Sequence, residues 1–356
     1  MAEKRNVIIN GYAYPNISSE VLAAWLPDIT YLLDFSYGIT AEGSIVDTED
    51  EVLRQAAADA DKQTLLVLTP FNEQGQFSNE LASQMLRSEA ARAALAADIR
   101  DTVIQKGMSG VDFDFEYVYA EDRDLYTALV RETAALMRPL GLTVTVALAP
   151  KTSAEQQGLL YSGHDYRGMG EAADYALLMT YEWGYTYGPP MAVAPLNKVR
   201  EVLEYGLTEI DAYKILMGIP NYGYDWTLPF VKGETAARKV SLDEARSISE
   251  SYGAEIIFDE TAQSLYFYYT DENDREHVVW FEDERSLAAK LSLIQEYGLA
   301  GAAYWNIMTY YEGNSTVLNE MYSIVCWRAA TRDVCYRLQV WLILCAIYGI
   351  LQCILF

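Results

Sequence analysis

The chain has 356 residues, half of them apolar, and a formal charge of −25 at neutral pH. That length suits one large domain or a barrel carrying an insertion, and the acidity argues against nucleic acid or an anionic membrane surface as a partner. The two histidines, His164 and His277, lie far apart with no cysteine near them, which leaves no material for a zinc site or a histidine-based triad.

No phosphate-binding or dinucleotide glycine motif is present, so no cofactor is expected. The N-terminus runs from six mostly polar residues straight into Val7-Ile8-Ile9 and lacks the long apolar region of a signal peptide. The first 325 residues contain no cysteine, which excludes a disulfide scaffold for the main domain. The 28 tyrosines and seven tryptophans suit sugar rings, but they suit a core equally well.

In chain order, Val7 to Tyr12 reads as a first strand, ended by turn chemistry. Ser18 caps a helix running through Trp25. Ile29 to Tyr37 is strand two, Thr48 to Ala60 a helix, and Thr64 to Thr69 strand three, stopped by Pro70. Ser88 to Lys106 is a long helix with Gly107 as its stop. After the fourth strand, a helix spans Glu121 to Met137. Strand five is Thr143 to Ala149, strand six Tyr175 to Tyr181, and a helix covers Val193 to Tyr205. Ile215 to Ile219 is strand seven; Gly301 to Trp305, preceded by a helix from Arg285 to Tyr297, is strand eight. Eight apolar strands alternating with helices predict an α/β fold, a (β/α)8 barrel, whose active site lies at the C-terminal strand ends. Between strand seven and the last helix, residues 227–284 predict a small α+β insertion. It contains a helix (Ser241 to Tyr252), strand-like runs at Glu255 to Phe258, Leu265 to Tyr269 and His277 to Phe281, and a hairpin turn at Asp271 to Asp274.

The fourth strand carries the chemistry. In Gly110-Val-Asp-Phe-Asp-Phe-Glu-Tyr117, Asp112, Asp114 and Glu116 alternate with Val111, Phe113 and Phe115. Period two places the three acids on one face, stepped about 6–7 Å apart, with Glu116 nearest the C-terminal end. The large apolar residues between them are to pack on helices. Like charges that close cannot all stay ionised, so at least one carboxyl pKa rises, which is what a general acid requires near neutral pH. The alternative is an edge strand with a solvated acidic face.

Ser109 to Glu116 resembles the signature of glycoside hydrolase family 18, Asp-Gly-x-Asp-x-Asp-x-Glu, with Ser109 standing where the pattern has its first Asp. The resemblance implies Glu116 as the acid, Asp114 as the group that orients a substrate acetamido group, and Asp112 as its proton-sharing neighbour. Met179-Thr-Tyr181-Glu182 is similar to the family's Met-x-Tyr-Asp/Glu element, which implies that Tyr181 donates to the acetamido carbonyl. Trp305 matches the floor of the sugar pocket, and Tyr12 and Phe35 match aromatic wall positions. Three longer stretches, Met179 to Pro190, Met217 to Trp226 and Val279 to Ser286, resemble the spore-cortex N-acetylglucosaminidase subgroup, here without LysM repeats. They add Met179, Glu182, Trp183, Asn221 and Tyr222 as expected substrate-binding residues. The resemblance spans about residues 5 to 324.

The function so implied is retaining hydrolysis of β-linked N-acetylglucosamine glycans, with spore peptidoglycan foremost, through a substrate-derived oxazolinium. The alternatives are a non-catalytic, lectin-like barrel and a chitinase or endo-N-acetylglucosaminidase of the same family. A monomer in the cytoplasm or spore, with no metal, is expected. An Asp at position 109 is expected to shift the acidic limb of the pH–rate profile by adding a carboxylate below Asp112.

The tail differs in composition. All four cysteines fall in the last 31 residues, and Leu338 to Phe356 is 19 residues without charge, following Arg328, Arg332 and Arg337. That pattern fits either a C-terminal membrane anchor or an unselected extension after Ile324.

Overall fold

The computed structural model describes residues 4–72 and 74–326. The proposed tail anchor lies outside the described residues. Among those described, no helix is long and apolar enough to cross a membrane.

Eight parallel strands close into a barrel: Arg5–Ala13, Tyr31–Ile39, Gln63–Leu68, Gly110–Phe113, Thr143–Leu148, Tyr175–Leu178, Ile215–Pro220 and Gly301–Trp305. Closure is explicit in the register, since the first strand pairs with the eighth (Ile8 opposite Gly301) and with the second (Asn10 opposite Tyr31). The long apolar runs of these strands follow from their position, between a filled barrel interior and an outer ring of helices. Gly110 permits one tight step, because a Cβ there would meet the Thr143 carbonyl oxygen at 1.9 Å.

Five of the described helices begin where small polar side chains accept from the first free N–H groups. Ser18, Ser78, Ser88 and Ser241 each accept from the backbone N–H three residues on, and Asp283 with Ser286 forms a reciprocal capping box. The predicted helix over 48–60 starts later, at Glu51, and strand six ends at Leu178, three residues short of Tyr181. Three helices did not stand out in the sequence: Asn79–Arg87, Tyr166–Ala172 and Glu312–Met321.

The insertion is an antiparallel five-stranded sheet, with order Arg238–Val240, Gly223–Thr227, Glu276–Phe281, Ser264–Thr270 and Ile257–Asp259. Helix Leu242–Tyr252 packs on it. The expected hairpin turn at Asp271 is present, with the Asp271 carboxylate accepting from Asn273 N and Arg275 N, each at 2.9 Å. The strand Gly223–Thr227, which overlaps the end of the Met217 to Trp226 stretch, links the barrel to this sheet.

Candidate active site

The fourth strand leaves the sheet at Phe113, so Asp114 and Glu116 lie beyond the hydrogen-bonded ladder. The expected strand through Glu116 is therefore shorter, while its alternation persists. Phe113 and Phe115 are buried against the helix Arg123–Met137, where the Phe115 ring stacks on Tyr126 at 5.2 Å and 11°. Asp112, Asp114 and Glu116 take the other side. Stacking and burial of the two phenylalanines fix the backbone that presents the acids, and the strand's early end frees the last two for the cavity mouth.

Asp112 sits deepest. Its Oδ1 accepts from the Thr145 hydroxyl and its Oδ2 from the Tyr12 hydroxyl at 2.7 Å. Burial nevertheless raises its pKa to about 6, against the pull of those two donors. Asp114 has a buried Oδ1 with no hydrogen-bond partner among the described residues. Its pKa is driven well up by burial first, then by the charges of Glu116 and Asp112. Glu116 reaches about 7, through burial and then the charge of Glu182. A carboxyl with that pKa is about half protonated at neutral pH, where an ordinary one has lost its proton, and can give that proton up in a reaction.

Asp114 and Glu116 line a cavity of about 620 Å³ together with Phe35, Met179, Tyr181, Glu182, Trp183 and Trp305. Eight of the twelve residues singled out in the sequence thus meet on one surface. Aromatic edges build the floor: the Trp305 and Phe35 ring centroids lie 4.8 Å apart, and Tyr12 packs edge-on to Trp305 at 5.6 Å. Tyr181 fits because residue 218 is glycine, where a Cβ would lie 2.6 Å from the Tyr181 ring. Burial, then the nearby charge of Asp114, holds the Tyr181 phenol well above its ordinary pKa, so it remains a donor.

Four of the expected residues are not on the cavity wall. Asp112 and Tyr12 lie beneath it, joined to each other. Tyr222 is buried with its hydroxyl donated to Glu182, which Tyr224 also reaches at 3.1 Å. Asn221 faces the loop after strand eight, donating to the carbonyls of Asn306 at 3.1 Å and Thr309 at 2.8 Å. A short amide placed one residue past a strand end finds backbone carbonyls before it can reach a ligand.

Several cavity residues escaped the sequence reading: Tyr14, Phe71, Phe77, Tyr117, Tyr161 and Tyr185. They come from loops beyond the strand ends, where no periodicity marks a direction. Phe71 and Phe77 pair across a tight loop, with ring centroids 4.7 Å apart. Tyr117 and Glu182, both lining the cavity, have left-handed backbone with φ of +58° and +66°. Such non-glycine outliers cost about 1–3 kcal/mol each and gather at functional sites. Among the described residues, no group of three or more His, Cys, Asp or Glu is placed to hold a metal.

Residues 37–309 match the family model described as Glycosyl hydrolases family 18. The chain is 42% identical over 330 residues to the Cortical fragment-lytic enzyme of Bacillus subtilis (strain 168), covering 91% of this chain and 76% of that protein. The crystal structure of the Bacillus megaterium QM B1551 spore cortex-lytic enzyme SleL superposes with a TM-score of 0.88 at 34% identity, covering 92% of this chain and 76% of that one. A chitinase from Chromobacterium violaceum ATCC 12472, at 24% identity and a TM-score of 0.81 over 88% of this chain and 98% of that one, shares the fold. The acid at the C-terminal end of the fourth barrel strand, the aromatic cavity around it and the family match over three quarters of the chain lead to one conclusion: this protein is a glycosidase and belongs to glycosyl hydrolase family 18.

Proposed function

We propose that the enzyme cleaves β-linked N-acetylglucosamine glycans with retention of configuration, using the substrate's own acetamido group as nucleophile, and that cortex peptidoglycan fragments are its substrate. The observation that carries the mechanism is the pairing of Glu116, its pKa raised to about 7, with a buried Asp114 oxygen two residues before it that has no partner among the described residues. An unsatisfied buried polar atom in a cavity wall costs about 1–3 kcal/mol until a ligand group meets it. A substrate acetamido N–H meets that need.

Glu116 gives its proton to the glycosidic oxygen as the bond to the anomeric carbon breaks. The acetamido carbonyl oxygen attacks that carbon from the opposite face, forming an oxazolinium, with Asp114 holding the N–H and Tyr181 donating to the oxygen. Glu116, now a carboxylate, takes a proton from water as the water opens the ring, which restores the acid and retains the configuration. Glu182 is the other carboxylate on the cavity wall, but two tyrosine hydroxyls engage it, which suits a charge held in place better than a nucleophile. The lectin-like alternative finds no support in a site that keeps both Glu116 and Asp114.

The choice of glycan rests on the relatives, whose names are those of cortex-lytic enzymes. Purified spore cortex fragments, chitin oligomers and a high-mannose glycopeptide, digested side by side, test it: release from cortex fragments is expected to be fastest, and a faster rate on either other glycan overturns the assignment. A thiazoline analogue of N-acetylglucosamine is expected to inhibit, and a glucoside lacking the acetamido group to be inert.

A further inference from the structure

His164 plays no part in the chemistry just described, yet it is fully buried directly behind the acid. Its ring bridges two barrel strand ends. The Ala149 N–H, just past the fifth strand, donates to Nδ1 at 2.8 Å. Nε2 lies 2.9 Å from the carbonyl oxygen of Phe115, the residue between Asp114 and Glu116. These partners define the tautomer: a backbone N–H can only donate and a carbonyl can only accept, so Nδ1 is bare and Nε2 carries the hydrogen.

The surroundings hold the ring in that state. Burial lowers its pKa to about 4, with the Lys151 ammonium nearby adding to the effect against the Phe115 carbonyl. Lys151 Nζ donates to the backbone carbonyl of His164 at 3.1 Å, and Tyr166 fastens the same turn by donating to the Ala149 carbonyl at 2.6 Å. The Tyr126 ring lies 6.0 Å away and also stacks on Phe115. One residue earlier, Gly163 lies flush on the far side of the acid: a Cβ there would meet the Val118 carbonyl oxygen at 2.3 Å. The segment 163–164 thus touches the acid loop at Phe115 and Val118, on either side of Glu116.

We propose that His164 is the positioning residue of the general acid, its neutral Nε2–H tautomer pinning the Phe115 carbonyl and so setting where the Glu116 carboxyl sits over the cavity. Glu116 and Asp114 have left the sheet, so among the described residues no strand neighbour fixes their backbone by ladder bonds beyond Asp114 N to Leu68 O. A side-chain hydrogen bond from another element replaces the missing ladder. The inference rests on the reading of Glu116 as the acid.

The test combines kinetics with a spectrum of the unaltered protein. His164→Ala is expected to lower kcat about 100-fold with KM within about threefold, since an ångström of misplacement at a reacting group costs on that order. His164→Gln, whose amide can both accept and donate, is expected to recover kcat to within about tenfold of the parent. Equal kcat in parent and Ala variant, while Glu116→Gln is inactive, overturns the positioning role and leaves the acid intact. An active Glu116→Gln variant instead overturns the acid itself. Because the chain has only two histidines, ring nitrogen-15 NMR of the parent can be assigned with a His277 substitution, and it decides the matter even if the Ala variant does not fold. A neutral Nε2–H ring from pH 8 down to pH 5 is expected; an Nδ1–H ring, or titration near pH 6.5, removes the pin.

Discussion

The Tyr12 hydroxyl donates to Asp112 at 2.7 Å, linking the first barrel strand to the base of the acid series on the fourth. With Thr145 it gives Asp112 a donor on each oxygen, while Asp114 above it has a bare one. The asymmetry sorts three like-charged groups: the lowest can carry charge, and the upper two are pushed toward holding protons. Tyr12→Phe removes one of the two donors that pull the Asp112 pKa down. That pKa then rises, and the acidic limb of the pH–rate profile is expected to move to higher pH. Thermal unfolding should also show a loss of about 1–3 kcal/mol, because a buried acceptor loses its partner. An unmoved limb would mean that Asp112 does not govern it.

Glu182 acts from beyond the sixth strand. Its charge is the second cause, after burial, of the raised Glu116 pKa. Glu182→Gln therefore lowers that pKa, and Glu116 loses its proton at a lower pH. Activity of the variant relative to parent is expected to fall several-fold further above pH 7 than at about pH 5.5. A pH-independent ratio would assign Glu182 to substrate binding alone.

Gly218 is a steric condition for Tyr181. A methyl group there would lie 2.6 Å from the ring and 2.8 Å from the Leu178 carbonyl oxygen. Overpacking of this kind costs about 1–3 kcal/mol. Gly218→Ala is expected to lower kcat at least tenfold through displacement of Tyr181 while the protein stays folded, as judged by circular dichroism and single-turnover assays. Parent-like kcat would detach Tyr181 from the reaction.

Ser109 calls for a revised expectation. Counting back from the acids by twos reaches Gly110, so alternation puts Ser109 on the side of Val111 and Phe113, toward the helices. Ser109→Asp should therefore leave the acidic limb where it is and cost about 1–3 kcal/mol of stability, the penalty for a further buried polar group. A shifted limb at unchanged stability would restore the coupling expected from the sequence alone.

The barrel was legible because its strands are continuous apolar runs ended by proline, glycine or polar residues, as at Pro70 and Pro150. The acids were legible because period two survives even where the strand ends. Tyr166–Ala172 was not, since two glycines in seven residues give no helical signal; burial of Tyr166 and Met169 holds it instead. Asn79–Arg87 has a local signal in its Ser78 cap. The walls from Phe71, Phe77 and Tyr161 depend on loop paths, and His164 depends on two backbone groups 15 and 49 residues away, distances that no local pattern encodes.

Glu116 contributes to stability with a definite sign. Its folded pKa of about 7 lies above the ordinary 4.5, so between those values the native state keeps a proton that the unfolded chain has lost. Stability from this group is fully present below about pH 4.5 and is lost as pH rises through 7. Glu116→Gln is thus expected to raise stability by about 1–3 kcal/mol at pH 8 and to change it little at pH 4. Denaturant titrations at the two pH values check this; equal effects at both would place the Glu116 pKa near its ordinary value.

The most direct measurement is turnover by Glu116→Gln on a glycan the parent cleaves, with binding of the same glycan measured alongside. Gln keeps the size and hydrogen-bonding reach of the acid but has no proton to give. A loss of kcat of about 1,000-fold or more, with glycan affinity within a few-fold of the parent, is expected if this carboxyl protonates the leaving oxygen. Turnover within a few-fold of the parent would contradict the assignment of Glu116 as the acid.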